Sequence, residues 1–282
     1  MRLAAYRMDR TSRPCLVVED EVFDIGDRHV TSLDVISDGG RGLTDLNDGS
    51  GDPVARLDDV DLGPPLAPRN IYCVGWNYAK HFEEGRHEQE LPEYPNFFLK
   101  GVGSLNGPHD DIPAHQGVTE CLDWEAELAA VIGKRGRDIP QESALEHVFG
   151  YTVANDVSAR DLQRRPGVQW TKGKSLDGTC PMGPWIVTAD EIGDPQALEL
   201  SSSVNGELKQ KATTDRMVFG VARLVSLLSE GITLEPGDVI LTGTPEGVGM
   251  GEDPPRFLLP GDVVECRIQD IGSIRNTIGG GR

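Results

Sequence analysis

The sequence predicts a β-rich α+β protein. Short apolar runs rich in β-branched residues recur along most of the chain, 34 glycines punctuate its 282 residues, and helical periods are few. Residues 1–61 hold two such runs, at 15–18 and 22–25, followed by a Gly/Asp-rich polar stretch at 38–53. They predict a small β-rich N-terminal domain with a long loop. At 62–69 three prolines fall within five residues, Pro64, Pro65 and Pro68, a composition that resists helix and central strand alike and so marks a linker. A larger domain then spans 70–282, with strands predicted at 71–74, 128–132, 151–154, 185–187, 239–242 and 263–268. The Asn205-Gly206 pair predicts a hairpin within 200–210. The clearest helix lies at 217–228, where Val218, Val221, Ala222, Val225 and Leu228 recur at helical spacing ahead of Gly231.

Charge narrows the function. With 27 basic against 46 acidic residues the net charge is -19, which repels nucleic-acid phosphate and anionic lipid, so neither is an expected partner. An anionic substrate then needs local cations. The five cysteines are scattered without a C-x-x-C pair, which argues against a disulfide framework and a thiolate zinc site and favours reduced thiols. The first seven residues lack an apolar leader core, and no run of ~18 uncharged apolar residues occurs. The expected location is cytoplasmic.

Carboxylates in apolar surroundings are the most informative local feature. Glu125 and Glu127, in Leu122-Asp123-Trp124-Glu125-Ala126-Glu127-Leu128, adjoin one predicted core strand, and Asp156 follows another. On a strand, positions two apart share a face about 7 Å apart, close enough for glutamates to converge. Carboxylates about 4 Å apart repel by roughly 4 kcal/mol per pair at an effective dielectric of about 20. A divalent cation relieves that, and an all-oxygen set suits Mg²⁺ or Mn²⁺. Two solvent-facing glutamates on an edge strand, with an unrelated turn aspartate, are the commoner arrangement for this pattern. Likewise His81 and Glu84, three apart, form either an acid/base dyad or an ordinary surface pair.

Longer motifs separate these alternatives. Val74-Gly75-Trp76-Asn77-Tyr78-Ala79-Lys80-His81, Pro95-Asn96-Phe97-Phe98-Leu99-Lys100, Asp123-Trp124-Glu125-Ala126-Glu127-Leu128, Asn155-Asp156-Val157-Ser158-Ala159-Arg160-Asp161-Leu162-Gln163, Gly173-Lys174-Ser175 and Thr242-Gly243-Thr244-Pro245 occur in this order. Together they resemble the fumarylacetoacetate hydrolase family, its acylpyruvase and 2-hydroxyhepta-2,4-diene-1,7-dioate isomerase-like branch, from about residue 70 to the C-terminus. The resemblance implies a mixed β-sandwich roll for the catalytic domain and assembly as a homodimer. It also implies an enzyme of oxo-acid metabolism using Mg²⁺ or Mn²⁺, with Glu125, Glu127 and Asp156 as metal ligands. His81 and Glu84 would handle the catalytic water, Lys174 would stabilise an enolate, and Lys100, Arg160, Gln163 and Thr244 would hold the oxo acid. Hydrolytic C-C cleavage of an acylpyruvate or similar β-diketo acid is the leading expected activity. Decarboxylation, isomerisation or hydration of oxo-dioic acids in aromatic catabolism follows, and a non-catalytic metabolite-binding protein comes last. The segment 83–94, charged and containing proline, reads as a lid.

Competing motifs fail locally. Gly173-Lys174-Ser175 has Val168 where a phosphate loop needs glycine, His87-Glu88-Gln89-Glu90 ends in Leu91 where a zinc protease needs histidine, and no G-x-S-x-G occurs. Leu176-Asp177-Gly178-Thr179 and Arg164-Arg165-Pro166-Gly167 depart from the common family pattern, which leaves the distal pocket and the substrate open.

Overall fold

The computed structural model describes residues 1–8, 11–41, 43, 51–84, 91–165, 167 and 169–279. Its central element is the strand Ala126–Ile132, in which every residue is buried. Alternation sends Leu128, Ala130 and Ile132 into one core and Ala129 and Val131 into another, which is why the segment reads as a continuous apolar run. It pairs antiparallel with Val148–Asn155 on one side and Val239–Leu241 on the other. Beyond Val148–Asn155 the sheet continues through Cys180–Thr188, Arg2–Met8, Thr11–Val18, Glu21–Asp24 and Ala55–Arg56; beyond Val239–Leu241 it continues through Ile71–Gly75 and Asn96–Lys100. Ile71–Gly75 runs parallel to Val239–Leu241, so the sheet is mixed.

A second sheet, ordered Glu207–Thr213, Glu199–Val204, Val263–Ile268, Gly272–Gly279 and Ile112–Pro113, lies against one face of the first. Leu200, Val264 and Ile274 from it join Leu128 and Val153 in the shared core. Asn205 and Gly206 turn its first hairpin at φ 51° and 80°, as the pair predicts. On the opposite face the short helix Ser32–Asp38 contributes Val35 and Ile36. The fold is therefore β-rich α+β, a mixed sheet sandwich.

Two local expectations are corrected. The helical period begins at 217, yet the helix runs Val221–Ser229. Asn77 holds the preceding residues out of the helix: its carbonyl accepts Val218 N–H, and its side chain exchanges two hydrogen bonds with the Phe219 backbone. Glu125 also lies outside the strand ladder, in the gap between Leu122–Asp123 and Ala126–Ile132. There its N–H meets Asn155 Oδ1, and its carbonyl accepts Asp156 N–H at 2.9 Å.

The N-terminal strands extend the large sheet, with Arg2 and Leu3 in register with Val187 and Ile186. Leu62 and Leu66 of the proline-rich segment are buried, and Leu62 bridges to Tyr6. We keep the boundary at 62–69 as a proposal about folding units rather than sheets. Residues 42 and 44–50 of the expected loop and 85–90 of the expected lid lie outside the described residues. Among those described, no helix is long and apolar enough to cross a membrane.

Gly150 marks a close approach in the strand leading to Asp156. A Cβ there would lie 2.3 Å from the Val187 carbonyl oxygen, against backbone that cannot swing aside. We expect Gly150→Ala to destabilise the protein by about 1–3 kcal/mol, read as a lowered urea midpoint; an unchanged midpoint refutes this packing constraint.

Candidate active site

Where Ala126–Ile132 and Val148–Asn155 part, Glu125, Glu127 and Asp156 come together. Each offers an oxygen within 4.8 Å of the other two, and all three are buried. Lys174 donates to Glu125 Oε2 and to Asp156 Oδ2, at 2.7 Å each, from the short helix Thr171–Lys174. The adjoining helix Arg160–Gln163 brings Arg160 Nη1 to 2.6 Å from Glu125 Oε1. Burial opposes the charge on Glu125, but Lys174 and Arg160 outweigh it and hold this carboxyl well below the ordinary range. Burial opposes charge on Lys174 too, yet Asp156 and Glu125 keep it a firmly protonated ammonium.

Glu127 differs. It accepts Gly243 N–H at 2.6 Å, but among the described residues no lysine or arginine pairs with it. Burial, with repulsion from Asp156 and Glu125, pushes its carboxyl well above the usual range. Fully ionised, Asp123, Glu125, Glu127 and Asp156 would be four carboxylates against the three cations Lys100, Lys174 and Arg160, one negative charge more than those cations meet. An all-oxygen cluster with a surplus carboxylate fits a hard divalent cation, so the residues present suit Mg²⁺ or Mn²⁺.

Beside this cluster opens a cavity of about 150 Å³, reached by His81, Glu125, Arg160, Gln163, Lys174 and Thr244. His81 comes from the helix Ala79–Glu84, with Nδ1 3.2 Å from Glu84 Oε2. Glu84 Oε2 faces Nδ1, so in the neutral imidazole tautomer that this contact favours, the proton is on Nδ1 and Nε2 is free. Glu84 Oε1 accepts Gly247 N–H at 2.6 Å, joining this helix to the 242–251 loop.

Not every expected residue meets the cavity. Lys100 lies behind the cluster, buried, with Nζ 2.8 Å from Asp156 Oδ1 and 3.0 Å from the Val157 carbonyl, so it braces Asp156 and does not line the cavity. Thr244 borders the cavity, but its hydroxyl donates to the Ala126 carbonyl and accepts from Gln210. Leu176 is packed in the core, whereas Arg164 stands at the cavity.

Other contributors have no role that the motifs assign to them. Trp76, Phe98 and Trp170 form an aromatic wall, Trp170 meeting both others edge-on at centroid distances of 4.9 and 5.2 Å. Trp76 takes φ 58°, a left-handed conformation that costs a bulky residue on the order of 1–3 kcal/mol and is held by surrounding contacts. Asp123, fully buried, accepts Arg160 Nε–H at 2.8 Å. An acid flanked by Leu122 and Trp124 was the available hint.

Known proteins share this architecture. "Oxaloacetate tautomerase YisK" from Bacillus subtilis is 46% identical over 235 residues, covering 83% of this chain and 78% of that protein. The structure of "Fumarylacetoacetate hydrolase (EaFAH)" from Exiguobacterium antarcticum superposes with a TM-score of 0.89 at 40% identity over 99% of both chains. Maleylpyruvate hydrolase from Sphingobium sp. SYK-6, solved in complex with manganese(II) ion and pyruvate, gives a TM-score of 0.82 at 31% identity over the whole of both chains. Residues 70–279 match the family described as "Fumarylacetoacetate (FAA) hydrolase C-terminal", and with the fold in place the chain belongs to the fumarylacetoacetate hydrolase family.

Proposed function

We propose that this enzyme moves a proton between the enol and keto forms of a short 2-oxo dicarboxylic acid, oxaloacetate being the acid named for its Bacillus subtilis relative. The carrying observation is that the His81 ring borders the same 150 Å³ cavity as Glu125, Lys174 and Arg160.

Tautomerisation shifts one proton between C3 and the oxygen on C2 and breaks no bond between heavy atoms. Glu125, Glu127 and Asp156 would hold Mg²⁺ or Mn²⁺, which supplies a Lewis acid for a 2-oxo group. Arg160 and Gln163 offer donors to a carboxylate, and Lys174 places a fixed positive charge where enolate charge develops. His81 Nε2 takes and returns the proton, while Glu84 holds the ring in the tautomer that leaves this nitrogen free. Arg164 also lines the cavity and would supply a cation for the second carboxylate of a diacid.

Hydrolysis of an acylpyruvate is the second reading, favoured by the likeness to the maleylpyruvate hydrolase. It uses the same His81 and Glu84 on a water. With either reading we propose a homodimer acting in the cytoplasm on a small oxo acid, without nucleic-acid or membrane partners. Sedimentation and cell fractionation test assembly and place.

Chelation should abolish enol decay of oxaloacetate above the buffer rate, and Mg²⁺ or Mn²⁺ should restore it. Calorimetric titration should show one Mn²⁺ per chain, lost in Glu127→Gln. Undiminished turnover in metal-free protein contradicts the proposal.

His81→Ala and Glu84→Ala should each lose roughly a hundredfold or more in rate while still binding Mn²⁺. Near-normal rates in both return the pair to an ordinary surface contact.

Oxalate, a planar mimic of the 2-oxo carboxylate fragment, should compete with substrate and bind only when metal is present. Lys174→Met should weaken it about ten- to a hundred-and-fiftyfold, the worth of one hydrogen bond to a charged group. Equal binding without metal would remove the basis for this site assignment.

A further inference from the structure

We infer that Asp123 is a positioning residue of this site: it holds the Arg160 guanidinium with Nη2 free for a substrate carboxylate and docks the 247–251 loop against it. The inference rests on the reading above, in which Arg160 grips the carboxylate of a 2-oxo acid.

Asp123 is not part of the cluster formed by Glu125, Glu127 and Asp156, yet it is fully buried, and both its oxygens are used twice. Oδ1 accepts the N–H groups of Trp124 at 2.9 Å and Gly249 at 2.7 Å. Oδ2 accepts Met250 N–H at 3.0 Å and Arg160 Nε–H at 2.8 Å. A guanidinium is planar, so fixing two of its nitrogens fixes the third. Nε is held by Asp123, while Nη1 lies 2.6 Å from Glu125 Oε1 and 3.1 Å from Gln163 Oε1. Nη2 is buried without a hydrogen-bond partner among the described residues, on a side chain that borders the cavity. An unsatisfied buried N–H of a charged group is costly, and a ligand carboxylate supplies the acceptor it lacks.

The loop contacts carry the second half. Met250, whose N–H ends on Asp123, borders the cavity, and the Gly247 N–H of the same loop ends on Glu84, the partner of His81. The loop is pressed close, since a Cβ on Gly249 would stand 2.0 Å from the Arg256 carbonyl oxygen. One carboxylate thus sets the carboxylate-gripping arginine and the loop that steadies the proton-transfer pair.

The test titrates oxalate calorimetrically into the Mn²⁺-loaded full chain as wild type, Asp123→Asn, Arg160→Gln, their double variant and Arg160→Lys. Asp123→Asn should weaken oxalate roughly ten- to a hundredfold with Mn²⁺ stoichiometry unchanged, and should add nothing in the Arg160→Gln background. Arg160→Lys keeps the charge but not the planar fork, so it should bind oxalate as weakly as Arg160→Gln. Wild-type affinity in Asp123→Asn or in Arg160→Lys, or additive losses in the double variant, overturns the inference while leaving the proposed reaction standing. If Asp123→Asn fails to fold, the Arg160→Lys comparison decides. Failure of the wild type itself to bind oxalate with metal refutes the substrate reading and this inference with it.

Discussion

Repulsion between carboxylates buried at the parting of two central strands is the constraint on which the rest of the structure depends. Glu125, Glu127 and Asp156 sit within one cluster with almost no water to screen them, so their charges must be met by neighbours in fixed places. Lys174 meets two of them, Lys100 braces Asp156 from behind, and Arg160 reaches Glu125. Each cation is positioned by backbone that the strands orient. Stability and chemistry are therefore hard to separate here: removing one partner of a buried pair costs about 3–5 kcal/mol and disturbs the site at the same time.

The cavity divides into an ionic end and an aromatic wall, and the two have different latitude. The ionic end suits what 2-oxo acids share, a carboxylate beside a carbonyl. Trp76, Phe98 and Trp170, with Met250 and Arg164, shape the remainder. Relatives are named for tautomerisation and for hydrolysis, two reactions that differ in whether water is consumed.

The fold was legible wherever one segment sufficed to specify an element. The apolar run at 128–132, the Asn205-Gly206 turn and the strand at 263–268 read directly, because period and turn chemistry are local. The helix start was not, because Asn77, far away in sequence, ties residues 218 and 219 into a bend outside the helix. Among site residues, Glu125, Glu127, Asp156 and Lys174 converge as their motifs suggested. Lys100 stands behind Asp156 rather than at the cavity, and the two placements look alike in sequence. Asp123 lay inside a quoted motif, but its use depends on amides of a loop more than a hundred residues later.

One amide in the second sheet reaches into all of this. Gln210 lies in Glu207–Thr213, whose neighbouring residues are polar and whose place at the sheet edge suggests a forgiving surface strand. Its side chain is wholly buried: Oε1 accepts from Ala126 N–H and Ser202 Oγ, and Nε2 donates to Thr244 Oγ1 and the Pro245 carbonyl. Every hydrogen-bonding position of the amide is taken, so glutamate, similar in shape, would set an acceptor against two acceptors. Gln210 is therefore held as tightly as a residue that lines the cavity, and an edge strand with no side chain in the cavity carries a heritable constraint set by the cavity.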